Sequence, residues 1–167
     1  MQIKLENLTC INENIDIDEY IQFREFVISH MEHPEWLGVF SKEDLLTMLS
    51  NNSKIWMYYL EDEVVCSMMF IPATEKDAIR FDLEQYYKEV ADYGPMMVNP
   101  KYRGNGLQYQ MLKVLDDYAI SNSYKYALAT INPDNKYSIH NIEKDNFQFI
   151  RQKEFTRGLR NIYFKKY

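Results

Sequence analysis

The segment Val98-Asn-Pro-Lys-Tyr-Arg-Gly-Asn-Gly-Leu107 stands between a predicted strand and a strongly periodic helix. Its two glycines, Gly104 and Gly106, fall in the turn that joins them. The N–H groups in the first turn of a helix lack intrahelical partners, and glycine has no Cβ to hold a ligand away from them. Because the helix dipole adds positive potential at the same end, the segment predicts an anion-binding site. The helix itself is predicted by apolar residues at helical spacing: Leu107, Met111, Val114, Leu115 and Tyr118.

This segment resembles the acetyl-CoA signature of the GCN5-related N-acetyltransferases (GNAT). That signature is Gln/Arg-x-x-Gly-x-Gly/Ala, after a strand that ends in Val-x-Pro. Gly104 and Gly106 match it, whereas Lys101 stands where the family prefers Gln or Arg. The alternative interpretation is an ordinary strand–helix turn that binds no ligand.

A second stretch, residues 132–147, resembles the family's Asn-x-x-Ser/Ala…Tyr-x-x-x-Gly-Phe segment. Asn135, Ser138 and Phe147 match this pattern. Ile142 replaces the Tyr of many members, and Asn146 replaces the Gly. The resemblance therefore leaves the usual proton donor of the family unassigned.

Composition narrows the class of protein. The chain has 167 residues, 46% of them hydrophobic and 26% charged, which is typical of one globular domain spanning 1–167. A net charge of −6 argues against nucleic acid as a partner and is compatible with an amine substrate, although charge alone is weak evidence. Cys10 and Cys66 are too few for a disulfide framework or a metal cluster, which fits a reducing cytoplasm. No signal peptide or bilayer-spanning segment is recognised, so we expect a cytoplasmic protein without metal or membrane partner.

Periodicity and turn residues predict an alternating order of strands and helices. We expect a weak edge strand in 2–10, two helices that begin after Asp16 and Ser41, a strand hairpin, a central strand over 91–98 and the glycine-turn helix. A strand, a helix and a closing strand pair follow, while residues 73–89 are ambiguous, with a helical pattern over 82–88. This is the element order of the GNAT fold. The resemblance implies an α/β (α+β) architecture in which helices flank a mixed, mostly antiparallel central sheet with a splayed central strand.

The resemblance also implies a donor site for acetyl-CoA. Met97 and Val98 would pair with the pantetheine arm, and the N–H of Val98 or its neighbour would polarise the thioester carbonyl. Asn135 and Ser138 would belong to the cofactor-binding residues, with Asn135 contacting pantetheine or only capping a helix. Lys101 and Arg103 would either add charge near the phosphates or remain solvated. The pyrophosphate would be held by the backbone of Arg103, Gly104, Asn105, Gly106, Leu107 and Gln108.

Acetyl transfer to an amine also needs a group that accepts the amine proton. Asp92 lies six residues before Val98, where some family members place a carboxylate base, although a surface Asp is an equal alternative. Tyr93 and Glu89 are further candidates for this base. The proton donor to the leaving thiolate could be Tyr137 or His140. The alternative is that Tyr137 serves in packing and that His140 is a solvated helix residue.

These features predict an acetyl-CoA-dependent N-acetyltransferase that acts on a primary amine. The acceptor could be a small molecule or a protein amino group, and the oligomeric state is open, a homodimer included. The alternatives are a catalytically silent CoA-binding sensor or interaction domain and an enzyme that moves a different acyl group. Candidate acceptor-lining residues, by family argument alone, are Tyr20, His33, Trp36, Tyr86 and Tyr87.

Overall fold

In the computed structural model, which describes residues 2–167, the chain folds into two compact units. The first unit comprises residues 2–70 and 94–111, and the second comprises residues 71–93 and 112–167. In chain order the strands and helices are β1 (Thr9–Ile11), α1 (Ile17–Ser29), α2 (Lys42–Ser50), β2 (Lys54–Leu60), β3 (Glu63–Pro72), α3 (Glu75–Arg80), β4 (Val90–Tyr93), β5 (Met97–Val98), α4 (Leu107–Ser121), β6 (Tyr126–Ile131), α5 (Lys136–Lys144), β7 (Gln148–Phe155) and β8 (Gly158–Lys166).

The helices of the first unit begin at the predicted capping residues. The side chain of Asp16 accepts hydrogen bonds from the N–H groups of Asp18 and Glu19 at the start of α1. The side chain of Ser41 accepts one from Asp44 at the start of α2. These bonds satisfy N–H groups that have no partner within the helix, so short polar residues fix where each helix starts.

Both units contain antiparallel strand pairs. In the first unit β2 pairs with β1 and with β3, and β5 pairs with β3, all antiparallel. In the second unit β8 lies between β6 and β7 and is antiparallel to both, whereas β4 is parallel to β6. The predicted mixed α/β fold with mostly antiparallel strands is therefore confirmed.

The predicted central strand is interrupted at Gly94-Pro95-Met96. β4, before the break, pairs with β6, whereas β5, after it, pairs with β3. Pro95 has no N–H to donate to a neighbouring strand, which explains why regular pairing stops here. The strand divides as the resemblance implied.

Two segments differ from the sequence prediction. Residues 2–10 are not one edge strand, because a 3₁₀ turn occupies Leu5–Asn7 and only Thr9–Ile11 pair as a strand. The ambiguous segment 73–89 forms α3 and then a 3₁₀ helix at Glu84–Glu89. A capping box between Thr74 and Asp77 starts α3, and this Thr-x-x-Asp pattern was present in the sequence.

Candidate functional site

The turn before α4 holds both glycines in the left-handed region. The φ angles are +83° at Gly104 and +68° at Gly106, which residues with a Cβ adopt only at a cost. A Cβ built on either glycine would meet no other atom within 4 Å. Regular helical bonding begins where the Gln110 N–H donates to the Gly106 carbonyl, so the preceding N–H groups of the first helical turn have no carbonyl partner within the helix.

The side chains of Asn105 and Gln110 fix this turn to the N-terminal segment. Asn105 Oδ1 accepts the Ile3 N–H at 3.0 Å, and its Nδ2 donates to the Tyr102 carbonyl at 2.9 Å. Gln110 Oε1 accepts the Leu5 N–H at 2.9 Å, and its Nε2 donates to the Asn105 carbonyl at 3.1 Å. The Asn105 side chain is thus engaged within the protein. Sequence reasoning missed this connection, since nothing in residues 2–6 indicates it.

Lys101 is engaged by a carboxylate. Its Nζ lies 2.7 Å from Glu63 Oε2, and the Tyr102 hydroxyl donates to the same carboxylate. These hydrogen bonds hold the pKa of Glu63 below its usual value and raise the pKa of Lys101. Arg103, by contrast, is exposed and forms no ion pair with any of residues 2–167. Of the two side chains predicted to add charge near the phosphates, Lys101 is paired with Glu63, and Arg103 is therefore the one whose charge is uncommitted.

β5 offers one unpaired edge. It pairs with β3 in the register Met97 with Ser67 and Val98 with Cys66, and no other strand within residues 2–167 pairs with it. The Asn99 N–H donates back to Val65 of β3 at 2.9 Å. Successive N–H groups of a strand point in opposite directions, so the N–H of Val98 points away from β3.

Asp92 lies on the other side of the strand break, in β4 of the second unit. It shares a face of β4 with Val90, since side chains two residues apart point the same way. Val90 belongs to an apolar cluster with Phe81, Leu83, Leu128 and Ile162. The Asp92 side chain therefore lies on the face that the segment after α3 covers.

This environment makes Asp92 an unusual carboxyl group. Its side chain remains partly exposed, yet desolvation by the surrounding protein raises its pKa to about 7, with a contribution from the negative charge of Asp77. Arg80 and Arg157 act in the opposite direction and do not cancel the rise. A carboxyl group with a pKa near 7 can accept a proton and release it again at neutral pH.

The opposite face of β4 carries a buried polar network. The Tyr93 hydroxyl donates to Asp116 Oδ1 at 2.6 Å and also contacts the Tyr167 hydroxyl. Lys165 Nζ lies 2.6 Å from Asp116 Oδ2 and 3.0 Å from Asp145 Oδ2. Burial raises the pKa of the Tyr93 hydroxyl, and its proton is committed to Asp116. Tyr93, a reserve candidate for the base, is unsuited to accept a proton, and its network joins four elements of the second unit.

The comparisons with known proteins identify the family. The model of the acetyltransferase (GNAT) family matches residues 18–147, more than half of the chain. The protein belongs to the GNAT acetyltransferase family. No protein of curated function matches the chain.

Solved structures share this GNAT fold over nearly their whole length. An N-acetyltransferase of Staphylococcus aureus Mu50 is 16% identical, with a TM-score of 0.69 and coverage of 95% of this chain and 98% of that one. A putative acetyltransferase of Salmonella typhimurium, solved with its cofactor acetyl-CoA, is 15% identical, with a TM-score of 0.67 and coverage of 94% and 93%. A GNAT acetyltransferase of Elizabethkingia anophelis, with acetyl-CoA bound, is 13% identical, with a TM-score of 0.68 and coverage of 97% and 99%.

The glycine turn fits acetyl-CoA as a ligand of this GNAT protein. The space that a Cβ would occupy at Gly104 and Gly106 is open, as a close approach of phosphate oxygens to the backbone requires. Within residues 2–167 no three His, Cys, Asp or Glu side chains are grouped so as to hold a metal ion. Nor does any described helix combine the length and apolarity needed to cross a membrane.

The structure places the second family segment at the start of α5. Asn135 caps this helix, with its Oδ1 accepting the Ser138 N–H at 3.2 Å. Tyr137 is 60% exposed, whereas Ile142, at the family's Tyr position, is 3% exposed. The exposed hydroxyl of Tyr137 remains a predicted proton donor, and Ile142 supplies only packing.

Two of the acceptor-lining candidates are used for packing. Tyr20 is 1% exposed inside the first unit. The Tyr86 ring packs against those of Tyr126 and Phe164 at 4.8 and 5.7 Å. His33 and Trp36 stack on one another at 4.3 Å near the surface, so they stay candidates.

Proposed function

We propose that this protein is an acetyl-CoA-dependent N-acetyltransferase, with residues 1–167 forming one catalytic domain that acts on a primary amine. The observation that supports this most strongly is the turn at Gly104 and Gly106, whose left-handed backbone and open surroundings suit a pyrophosphate. Acetyl-CoA supplies an acetyl group that is activated as a thioester. The proposal includes a cytoplasmic location and no metal requirement.

The donor side of the mechanism relies on backbone groups. The backbone of residues 103–108 binds the pyrophosphate, helped by the uncommitted charge of Arg103. The unpaired edge of β5 at Met97 and Val98 binds the pantetheine arm. The Val98 N–H donates to the thioester oxygen as negative charge develops on it.

Asp92 serves as the general base. The amine nitrogen attacks the thioester carbon, a C–N bond forms, the C–S bond breaks, and the amine proton passes to the Asp92 carboxylate, directly or through water. The thiolate leaves with a proton from Tyr137 or from solvent. The raised pKa of Asp92 supports this role because a base works best when its pKa lies near the working pH.

One observation favours a second candidate function. Ile142 occupies the position of the family's proton-donating Tyr and is buried in packing. A domain that binds CoA without transferring the acetyl group would tolerate this replacement. The candidate is a CoA-binding sensor or interaction domain of the same fold.

A thermal shift with acetyl-CoA, CoA and a long-chain acyl-CoA tests the donor site, followed by an amine screen that monitors CoA release. We expect acetyl-CoA to raise Tm by mass action, by an amount equivalent to about 2.7 kcal/mol at a hundredfold excess over Kd. Absence of a shift with all three ligands would contradict both candidate functions. A shift without CoA release for any amine would favour the sensor.

The connection between the turn and the N-terminal segment leads to a further prediction. Gln110→Ala removes the bonds to Leu5 and Asn105, so the turn loses a support and CoA binding should weaken by up to roughly 30-fold, as loss of two hydrogen bonds at about 1 kcal/mol each implies. Calorimetric titration with CoA measures this. The matched variant Gln152→Ala, at an exposed position of β7, should bind as the wild type does. Equal affinities for both variants would contradict the supporting role of Gln110.

A further inference from the structure

Two arginines of the second unit take part in no ion pair among the described residues. Arg80 ends α3, and Arg157 lies in the turn between β7 and β8. Both side chains are exposed, and neither forms an ion pair with an acidic residue among residues 2–167. Arg151 and Lys153 of the same hairpin differ, because both pair with Asp82 at 3.6 and 3.3 Å. Arg151 and Lys153 are therefore committed to an ion pair, whereas Arg80 and Arg157 are available to a ligand.

Aromatic packing holds the Arg80 guanidinium beside the face of β4 that bears Asp92. The Arg80 guanidinium carbon lies 5.0 Å from the centre of the Phe155 ring and 5.5 Å from that of Phe81. Both rings pack in the cluster that contains Val90, the residue on the same face as Asp92. Arg157 follows Phe155 by two residues. A cation over an aromatic face is held in place while its N–H groups remain free to bind an anion.

The charges of these groups act on one another. Desolvation lowers the pKa of Arg157, and repulsion from Arg80 lowers it further. Both arginines attract the ionised form of Asp92, while Asp77 on α3 opposes it. When Asp92 takes up a proton, its single negative charge disappears and with it the attraction between its carboxylate and the two cations. An anion bound between them would relieve this repulsion.

We propose that the acceptor carries an anionic oxygen group, such as a carboxylate, close to its amine, and that Arg80 and Arg157 bind this group beside Asp92. This inference rests on the proposed N-acetyltransferase function. A guanidinium matches a carboxylate with two parallel hydrogen bonds, so the pair fixes both the charge and the orientation of the acceptor. Polyamines and aminoglycosides are selected against, because their additional positive charges meet the two guanidiniums.

The test measures kcat/KM for matched acceptors that differ only in this charge. The panel holds free amino acids with their carboxamides, N-terminal peptides with Glu or Gln at the second position, and spermidine. For each anionic acceptor that the enzyme acetylates, we expect kcat/KM to exceed that of its neutral partner by roughly tenfold. This is the effect that one charge-assisted hydrogen bond would have. The free amino acids and the peptides distinguish a small-molecule carboxylate from one on a polypeptide.

Arginine variants connect this preference to the proposed residues. Arg157→Gln, an exposed turn substitution that should leave folding intact, is expected to remove the preference through a higher KM for the anionic acceptor, with KM for acetyl-CoA unchanged. Arg80→Gln should act in the same direction. Arg151→Gln is the matched control, since Arg151 is already paired with Asp82, and it should keep the preference.

Each contrary result has a distinct meaning. A preference for spermidine, or for the neutral partners, would overturn the anionic acceptor and leave the N-acetyltransferase function standing. An anionic preference that survives both arginine variants would overturn the assignment of Arg80 and Arg157. Absence of acetylation across the panel, in a protein that acetyl-CoA stabilises, would overturn this inference together with the transferase function.

Discussion

Gly104→Glu is expected to abolish CoA binding while the protein stays folded. The new carboxylate would project into the space where the pyrophosphate is proposed to lie. Two like charges about 4 Å apart near a protein surface repel by about 4 kcal/mol, so affinity should fall by more than roughly a hundredfold. The positive φ of Gly104 costs a residue with a Cβ about 1–2 kcal/mol, which lowers Tm by only about 2–8 °C. Calorimetric titration with CoA and a melting curve measure the two effects separately.

Gly158→Glu is the matched control for Gly104→Glu. Gly158 also has a positive φ, +100°, and open space around a built Cβ, but it is the first residue of β8, in the second unit. It should lose a similar amount of stability and keep its affinity for CoA. Gly104→Ala separates backbone strain from charge and should bind CoA more tightly than Gly104→Glu does. Wild-type affinity in Gly104→Glu would remove the glycine turn from the binding site.

The fold could be predicted from the sequence wherever local chemistry determines structure. Asp16 and Ser41 cap their helices as expected, because capping depends on residues within one turn of the helix. Gly104 and Gly106 indicated the turn, since few other residues adopt its φ angles. The break in the central strand falls at Gly94-Pro95, where Pro95 has no N–H to donate to a neighbouring strand.

Contacts between distant parts of the chain could not be predicted in this way. The bonds from Ile3 to Asn105 and from Leu5 to Gln110 join residues more than a hundred positions apart. Lys165 likewise meets its buried carboxylate partners, Asp116 and Asp145, across 49 and 20 positions of the chain. The electrostatic surroundings of Asp92 are non-local too, because the arginines that flank it come from α3 and from the β7–β8 turn.

Asp92→Asn is expected to lower kcat/KM by about 10²–10⁴-fold, the usual contribution of a positioned general base. In the wild type kcat/KM should fall as pH drops below about 7, because protonated Asp92 cannot accept the amine proton. The variant should lose this acid limb, while its affinity for CoA stays unchanged. The pH dependence of initial rates, measured with a saturating concentration of acetyl-CoA, shows both effects.

Stability supplies an independent readout for the same variant. The pKa of Asp92 is about 7 in the folded protein and about 4 in an unfolded chain. Between these values the folded state binds more protons, so this residue makes the wild type less stable as pH rises from about 4 to about 7. Asp92→Asn should remove that contribution and raise Tm more at pH 8 than at pH 5. A gain in Tm without a change in rate would mean that Asp92 is only a desolvated structural carboxyl group.

Asp77→Asn tests the cause of the raised pKa of Asp92. Asp77 and Arg80 act on Asp92 from α3, and Arg157 acts from the hairpin turn. Removing the negative charge of Asp77 should lower the pKa of Asp92 and move the acid limb to lower pH. Asn keeps an oxygen that can accept the Thr74 N–H, so α3 should still begin at the same place. At high pH, kcat/KM should remain close to that of the wild type. If the fall in kcat/KM on the acid side moves to lower pH while the high-pH value is unchanged, Asp92 is the titrating base. If that fall does not move, another group titrates.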